Sequence, residues 1–351
     1  MKMMTEAEIT ARAREILDLP AATPVEWIPF ADRGSDRAYF RLRCPDGQSM
    51  ILVRYGQSRK ENGYYAAISW FLEENGIPVP RILYHDADRG LILQEDLGDE
   101  DLWALRNEPW EVRGPLYRKT LEVVAALHAI PEEDFVRDPV PLMESFSPEL
   151  YRWERAYFRE HFVGALCGIA LAPGEEEALE RELAALALRL GRHRESLIHR
   201  DLQSQNVMIR GGDPVLIDFQ GMRFGSRYYD LGSLLCDPYV PFSDAERQEL
   251  LSFRRGLGAP EEQEDFADAF WEASAQRLMQ ALGAYGFLAR ERGLTRYLAH
   301  VPAGLANLLM SAGRARSLPR LEELCLRCGL VLRETGRLQD KGGTTDGGEG
   351  A

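Results

Sequence analysis

The chain has 351 residues, with 42 Lys plus Arg against 56 Asp plus Glu, a net charge of −14 and 45% hydrophobic side chains. That length fits about two domains, and the composition excludes wholesale disorder. The acidity excludes a chain-wide basic footprint for nucleic acid, and no apolar run approaches the roughly 20 residues that span a bilayer. A soluble, cytoplasmic chain without nucleic-acid or membrane partners is expected.

The elements follow in chain order. Residues 1–20 read as a helix stopped by Pro20. From Trp27 to about Gln94 the texture is strand-like, with a hairpin around Pro45-Asp46-Gly47 and a turn over Asp32–Asp36. One helix, residues 61–75, interrupts it and stops at Gly76. Two further short strands flank Asp88-Arg89-Gly90. After Gly98 residues 101–130, 147–168, 175–192 and most of 244–335 have helical period, around a strand-rich island at 197–221. An α+β chain is therefore expected, with a small sheet over residues 1–98, a mainly helical unit over 99–339 and a Gly-rich disordered tail over 340–351. Cys44, Cys167 and Cys236 stand alone, and Cys325 and Cys328 form a C-x-x-C without the second ligand pair that zinc wants. At i, i+3 spacing on a helix they suit a core face.

The chemistry concentrates in SLIHRDLQSQNVMIRGGDPVLIDFQ. A hairpin turning at Gly211-Gly212-Asp213 places Asp218 after one strand and Asn206 before the other, with His199 and Asp201 in the preceding loop. Two carboxylates and a carboxamide are hard oxygen ligands, the set magnesium takes when a nucleotide phosphate completes its shell. A carboxylate left over can accept the proton of an attacking hydroxyl.

His199-Arg200-Asp201-Leu202, Asn206 and Asp218-Phe219-Gln220 resemble the catalytic and metal loops of the kinases. Gln220 and the lack of an A-P-E segment point away from protein kinases. IDFQGMRFGSRYYDLGSLL is similar instead to the aminoglycoside phosphotransferase-type small-molecule kinases. Within these, GSDRAYFRL, WERAYFREHF and QRLMQALGAYGFLARERGLTRYLAHVP resemble the anomeric N-acetylmuramate and N-acetylglucosamine kinases of cell-wall recycling, over about residues 25–315. The resemblance implies a protein-kinase-like two-lobe fold, ATP and Mg2+ as cofactors, a sugar acceptor and a monomer. It implies Asp201 as the base, and Asn206 and Asp218 as magnesium ligands, with His199 packing behind the loop and Asp230 bracing it or capping a helix.

For the nucleotide, the resemblance puts Gly34, Ser35 and Arg37 in a phosphate-covering turn and the backbone of Glu95 to Leu97 against adenine. Ile51 and Leu93 are candidates to sandwich the ring. The usual lysine is missing: the four lysines are Lys2, Lys60, Lys119 and Lys341. Arg54 stands at or next to the expected place and Lys60 beyond the strand end, with Glu61 the nearest matching acid. Glu154, Gln276, Arg277 and Gln280 match polar acceptor positions of the sugar kinases, although polar helical positions commonly face solvent. His128 reads as core. An aminoglycoside-type or other hydroxyl kinase, and a nucleotide-binding pseudokinase scaffold, remain as alternatives.

Overall fold

Residues 37–43 and 49–55 carry apolar runs, Ala38–Phe40 and Met50–Val53, on either side of the Pro45-Asp46-Gly47 turn, and the chain folds into strands covered on both faces. The computed structural model describes residues 4–30, 37–137, 140–193, 195–258 and 265–336; the turn at 32–36, with Gly34 and Ser35, and the tail from 340 lie outside them. Strands β1 (Glu26–Pro29), β2 (Arg37–Arg43), β3 (Ser49–Tyr55), β4 (Ile82–Asp86) and β5 (Leu91–Glu95) form an antiparallel sheet in the order β1-β2-β3-β5-β4. One face, with Leu42, Met50, Leu52, Leu91 and Leu93, is covered by Ile9 and Ala13 of helix α1 (Glu6–Ile16). The other, with Ile51, Val53, Tyr55 and Ile92, joins the main core with helix α2 (Tyr65–Glu74). The helix expected at 61–75 begins with a 3-10 turn over Lys60–Tyr64.

Beyond Glu95 the chain is mainly helical: α3 (Trp110–Ala129), α4 (Glu132–Arg137), α5 (Pro148–Phe158, continued as a π-helix over Arg159–Leu166), α6 (Pro173–Leu190), α7 (Arg227–Leu235), α8 (Asp244–Gly256), α9 (Phe266–Glu291), α10 (Val301–Ala315) and α11 (Pro319–Glu334). Helix α9 is buried along most of its length, and every residue of α7 is buried; such helices form the centre of a larger body. Two glycines let these helices cross closely. A Cβ on Gly232 would stand 2.7 Å from the Ser274 Cα, and one on Gly286 would stand 2.2 Å from the His161 carbonyl oxygen. Cys325 and Cys328 are buried on one face of α11, packed in the core.

Among these helices lie two short two-stranded ribbons: β6 (Glu195–Ile198) with β9 (Arg223–Ser226), and β7 (Val207–Arg210) with β8 (Asp213–Leu216). The segment leaving the five-stranded sheet is tied to the second. Leu102 N donates to the Val207 carbonyl (3.0 Å) and Ile209 N to the Glu100 carbonyl (2.8 Å). Arg41 of β2 binds the same segment from above, with Nε 2.6 Å from Asp96 Oδ2 and Nη2 2.8 Å from Asp99 Oδ1. The sheet thus ends directly over the loops of the β7–β8 hairpin.

Candidate active site

The loop between β6 and β7 is held from below by Asp230, in the first turn of α7. Its carboxylate accepts from His199 N and Arg200 N, both at 2.8 Å, and pairs with His128 Nε2 at 3.0 Å. Arg200 sits in the left-handed region, at φ 77. A non-glycine residue there costs about 1–3 kcal/mol, so the charge-assisted bonds from Asp230 are what hold the loop in that shape. Asp230 therefore braces the loop, and His128 is more than core filler. His199 Nε2 donates to the Ile217 carbonyl at 2.9 Å, behind the loop and away from any metal position.

Asp201, Asn206 and Asp218 come together as the hairpin requires. Asn206 donates its Nδ2 to the Asp201 carbonyl at 2.8 Å, and its own carbonyl accepts Ile217 N at 3.0 Å, one residue before Asp218. With its amide nitrogen so fixed, the Asn206 side-chain oxygen keeps its lone pairs for another partner. Asp218 adopts a left-handed φ of 64 two residues after the end of β8. Phe219, fully buried, stacks on Tyr65 with centroids 4.5 Å apart, which anchors the Asp218 loop to α2.

Asp201 is gripped on both oxygens. Arg200 pairs with Oδ2, and Arg277 of α9 donates from Nη2 to Oδ1 at 3.1 Å. Desolvation works to raise its pKa, but Arg200 and then Arg277 prevail and hold it well below the usual carboxylate range. Arg277 is itself fixed, through Nε to Ser233 Oγ at 3.1 Å and Nη1 to Gln280 Oε1 at 2.5 Å. Glu154, almost wholly buried, accepts from Tyr229 Oη and Gln276 Nε2, both at 2.9 Å. Burial pushes its pKa up. The four polar helical positions matched to the acceptor are therefore buried, not a solvated face.

On the sheet side, Arg37 reaches down from β2, with Nη2 2.7 Å from Asp218 Oδ1; Gln220 Nε2 donates to the same oxygen at 3.1 Å. Arg37, Tyr39, Val53, Tyr55, Tyr65 and Ile92 line the hollow under the sheet. The expectation for Arg54 is corrected. Val53 and Tyr55 face the hollow, so Arg54 between them points to the opposite face, its guanidinium 5.3 Å from the Trp27 ring and 5.7 Å from that of Phe40. Leu93 is corrected for the same reason: it packs on the α1 side, whereas Ile51 faces the main core. Lys60 is exposed and pairs with Glu144 at 3.7 Å, and Glu61 lies in the 3-10 turn before α2. Glu95 binds Arg210 and accepts from Arg81 N at 3.4 Å, while Leu97 is half-buried in the crossing segment.

Three groups escaped the sequence reading. Arg200 was legible as part of the loop motif, but not as a partner of Asp201. Arg223, five residues after Asp218, lies just past the strand-rich island expected at 197–221. Asp237 accepts from Ser204 N at 2.8 Å and Ser204 Oγ at 2.6 Å, bracing the loop a second time; nothing local in Asp-Pro-Tyr announces it.

A family model for the phosphotransferase enzyme family matches residues 26–274. Among curated proteins, the N-acetylmuramate/N-acetylglucosamine kinase of Pseudomonas aeruginosa is 25% identical over 313 residues, 86% of this chain and 88% of that protein. The protein of the same name from Neisseria meningitidis serogroup B is 25% identical over 305 residues, 85% and 89% of the two chains. A choline/ethanolamine kinase family protein from Mesorhizobium loti has a similar structure, with TM-score 0.59 at 15% identity over 90% of this chain and 99% of that one. So does the ADP-bound aminoglycoside phosphotransferase APH(2'')-Ib, with TM-score 0.57 at 14% identity over 87% and 99%. These structures share the protein-kinase-like fold: a small antiparallel sheet over a mostly helical body.

Proposed function

The chain belongs to the phosphotransferase enzyme family and is an ATP-dependent kinase of small-molecule hydroxyls, and from that premise we propose that its acceptor is an amino sugar, phosphorylated at the anomeric hydroxyl in cell-wall recycling. The observation that carries the chemistry is the meeting of Asp201, Asn206 and Asp218 at one hairpin end beneath Arg37. The named activity of the full-length relatives supports the acceptor class.

The donor set fits magnesium. Asn206 and Asp218 offer only oxygens, and among the described residues no cluster of three His, Cys, Asp or Glu side chains forms a self-sufficient metal cage. That is the pattern of an ion that takes one or two protein ligands and completes its shell with phosphates and water. When bound, the ion neutralises phosphate charge during transfer. Arg37, already at Asp218, is placed to hold the nucleotide phosphates in the lysine's stead; its fork suits two phosphate oxygens. The backbone from Glu95 to Leu97 receives adenine. Asp201 orients the acceptor hydroxyl and takes its proton as the new oxygen–phosphorus bond forms and the bond to the ADP oxygen breaks. With so low a pKa it is a weak base, so the proton moves late in the step. Gln280 and Gln276, beside Asp201 and Glu154, shape the acceptor pocket.

The test is ATP consumption with N-acetylmuramic acid, N-acetylglucosamine, methylthioribose and kanamycin, followed by phosphorus NMR of the product. Turnover of the two amino sugars to an anomeric phosphate is expected. Turnover of kanamycin alone, or of none, overturns the reading.

A further inference from the structure

The acceptor side of the cleft carries more positive charge than its carboxylates answer. Arg200 and Arg277 share the single carboxylate of Asp201. Glu154, the other acid nearby, is buried, which pushes its pKa up, and its two oxygens are taken by Tyr229 and Gln276. That leaves Arg223. It begins β9, opposite Ile198 and so beside the loop that starts at His199. It is only 9% exposed, and its carbon Cζ lies 5.4 Å from the Phe146 ring. Its Nε donates to the Gly221 carbonyl at 3.2 Å. Among the described residues, no carboxylate comes within ion-pair distance of it.

Gly221 connects this guanidinium to the site. A Cβ there would touch Arg200 Cδ at 3.9 Å, so Arg200 and Arg223 flank the loop that follows Asp218. After desolvation, the charge that bears most on Arg223 is the like charge of Arg200; Tyr229, Glu154 and Asp201 act the other way from a distance without offsetting them, and its pKa is lowered. A buried cation facing another cation is costly unless an anion joins it. Nothing in the loop motif needs it there. We infer that Arg223 is a specificity residue that receives a carboxylate on the acceptor, and that this kinase prefers a carboxylated amino sugar to its neutral counterpart. This rests on the amino-sugar reading above. The pair of sugars named for the relatives differs in that feature: N-acetylmuramate has a lactyl carboxylate where N-acetylglucosamine has a hydroxyl. The same oxyanion chemistry has a second source, the phosphoryl group in flight, and the experiment separates the two.

Arg223→Gln and Arg223→Lys are compared with the parent in steady-state kinetics on both sugars. A charge-assisted bond is worth about 1.5–3 kcal/mol, or roughly 10- to 100-fold. For Arg223→Gln, kcat/KM on N-acetylmuramate is expected to fall by that factor, mainly through KM. On N-acetylglucosamine it stays within about threefold, the noise of such a comparison. Arg223→Lys, which keeps the charge without the fork, loses less and also only on N-acetylmuramate; it serves if the Gln variant fails to fold. Equal loss of kcat on both sugars assigns Arg223 to the phosphoryl group and overturns the inference, as does no loss on either. A second arm is independent of the sugars. D-lactate is expected to raise the melting temperature of the parent but not of Arg223→Gln, whereas neutral lactamide raises neither. If the parent turns over neither sugar, the amino-sugar reading fails, and the D-lactate shift alone decides whether Arg223 binds a carboxylate.

Discussion

Arg37 and Asp218 come from the two sides of the cleft, β2 above and the hairpin below, and their side chains meet at 2.7 Å. Burial, the largest single influence, opposes the charge on Arg37, but Asp218 together with Tyr39 and Tyr65 overcomes it and raises the arginine's pKa. It is Arg37 of β2, and not Arg54 of β3, that the fold brings against Asp218, the carboxylate proposed to hold magnesium.

The first prediction follows from that contact. Arg37→Ala is expected to lower kcat/KM for ATP by about 10- to 100-fold, the value of a charge-assisted contact. Arg54→Ala should leave ATP kinetics near the parent value and reduce stability by about 1 kcal/mol, through lost contact with Trp27 and Phe40. Lys60→Ala, exposed and paired only with Glu144, is the silent control. ATP titrations and urea unfolding of the three variants check this. A dead Arg54 variant beside a healthy Arg37 variant would return the role to β3.

Asp201→Asn should cost about 10²–10⁴ in kcat while ATP affinity, measured by calorimetry, is kept. Because Arg200 and Arg277 hold the parent carboxylate ionised, the pH–rate profile should show no acid limb from Asp201 in the ordinary carboxylate range. The same shift gives a stability term. It is present above the unfolded value of 3.8 and is lost as the pH falls toward the folded one. An acid limb that vanishes in the Asn variant would contradict this assignment.

Asp230 has no exposed surface and answers two backbone N–H groups and His128. Asp230→Ala leaves those donors unsatisfied and frees Arg200 from its left-handed conformation. A loss of about 3 kcal/mol or more is expected in urea unfolding. Asp230→Asn should also be damaging, because its NH2 group would face a donor. Near-parental stability of both would show that the loop is held elsewhere.

Glu154 supplies a pH signature of opposite sign to that of Asp201. Its folded pKa lies above 4.5, so in the window between the two values the native state holds the proton more tightly than the unfolded chain. Stability from this group therefore falls as the pH rises through that window. Glu154→Gln removes the titration, and Gln276, whose Oε1 has no partner, is able to turn its amide and accept from the new one. The stability of Glu154→Gln relative to the parent should rise with pH, measured by denaturation at several pH values. A difference that does not change with pH would sink the assignment.

The catalytic loop was legible because its chemistry is local: Asp201, Asn206 and Asp218 lie within 18 residues, and a short hairpin brings them together. The sheet was legible too, through short apolar runs bounded by turns at Gly47 and Gly90. What the sequence could not decide was which cation lies against Asp218. Arg37 and Arg54 both sit at strand ends beside apolar runs, and only the pairing of Ala38 with Arg54 puts their side chains on opposite faces. The acceptor side lay further out of reach. Arg277 finds Asp201 across 76 residues, and Gln276 finds Glu154 across 122. On an isolated helix such residues look like a solvated face. They become a buried polar network only when α5, α7 and α9 pack together, because burial and pairing are properties of the assembled core, not of any one segment.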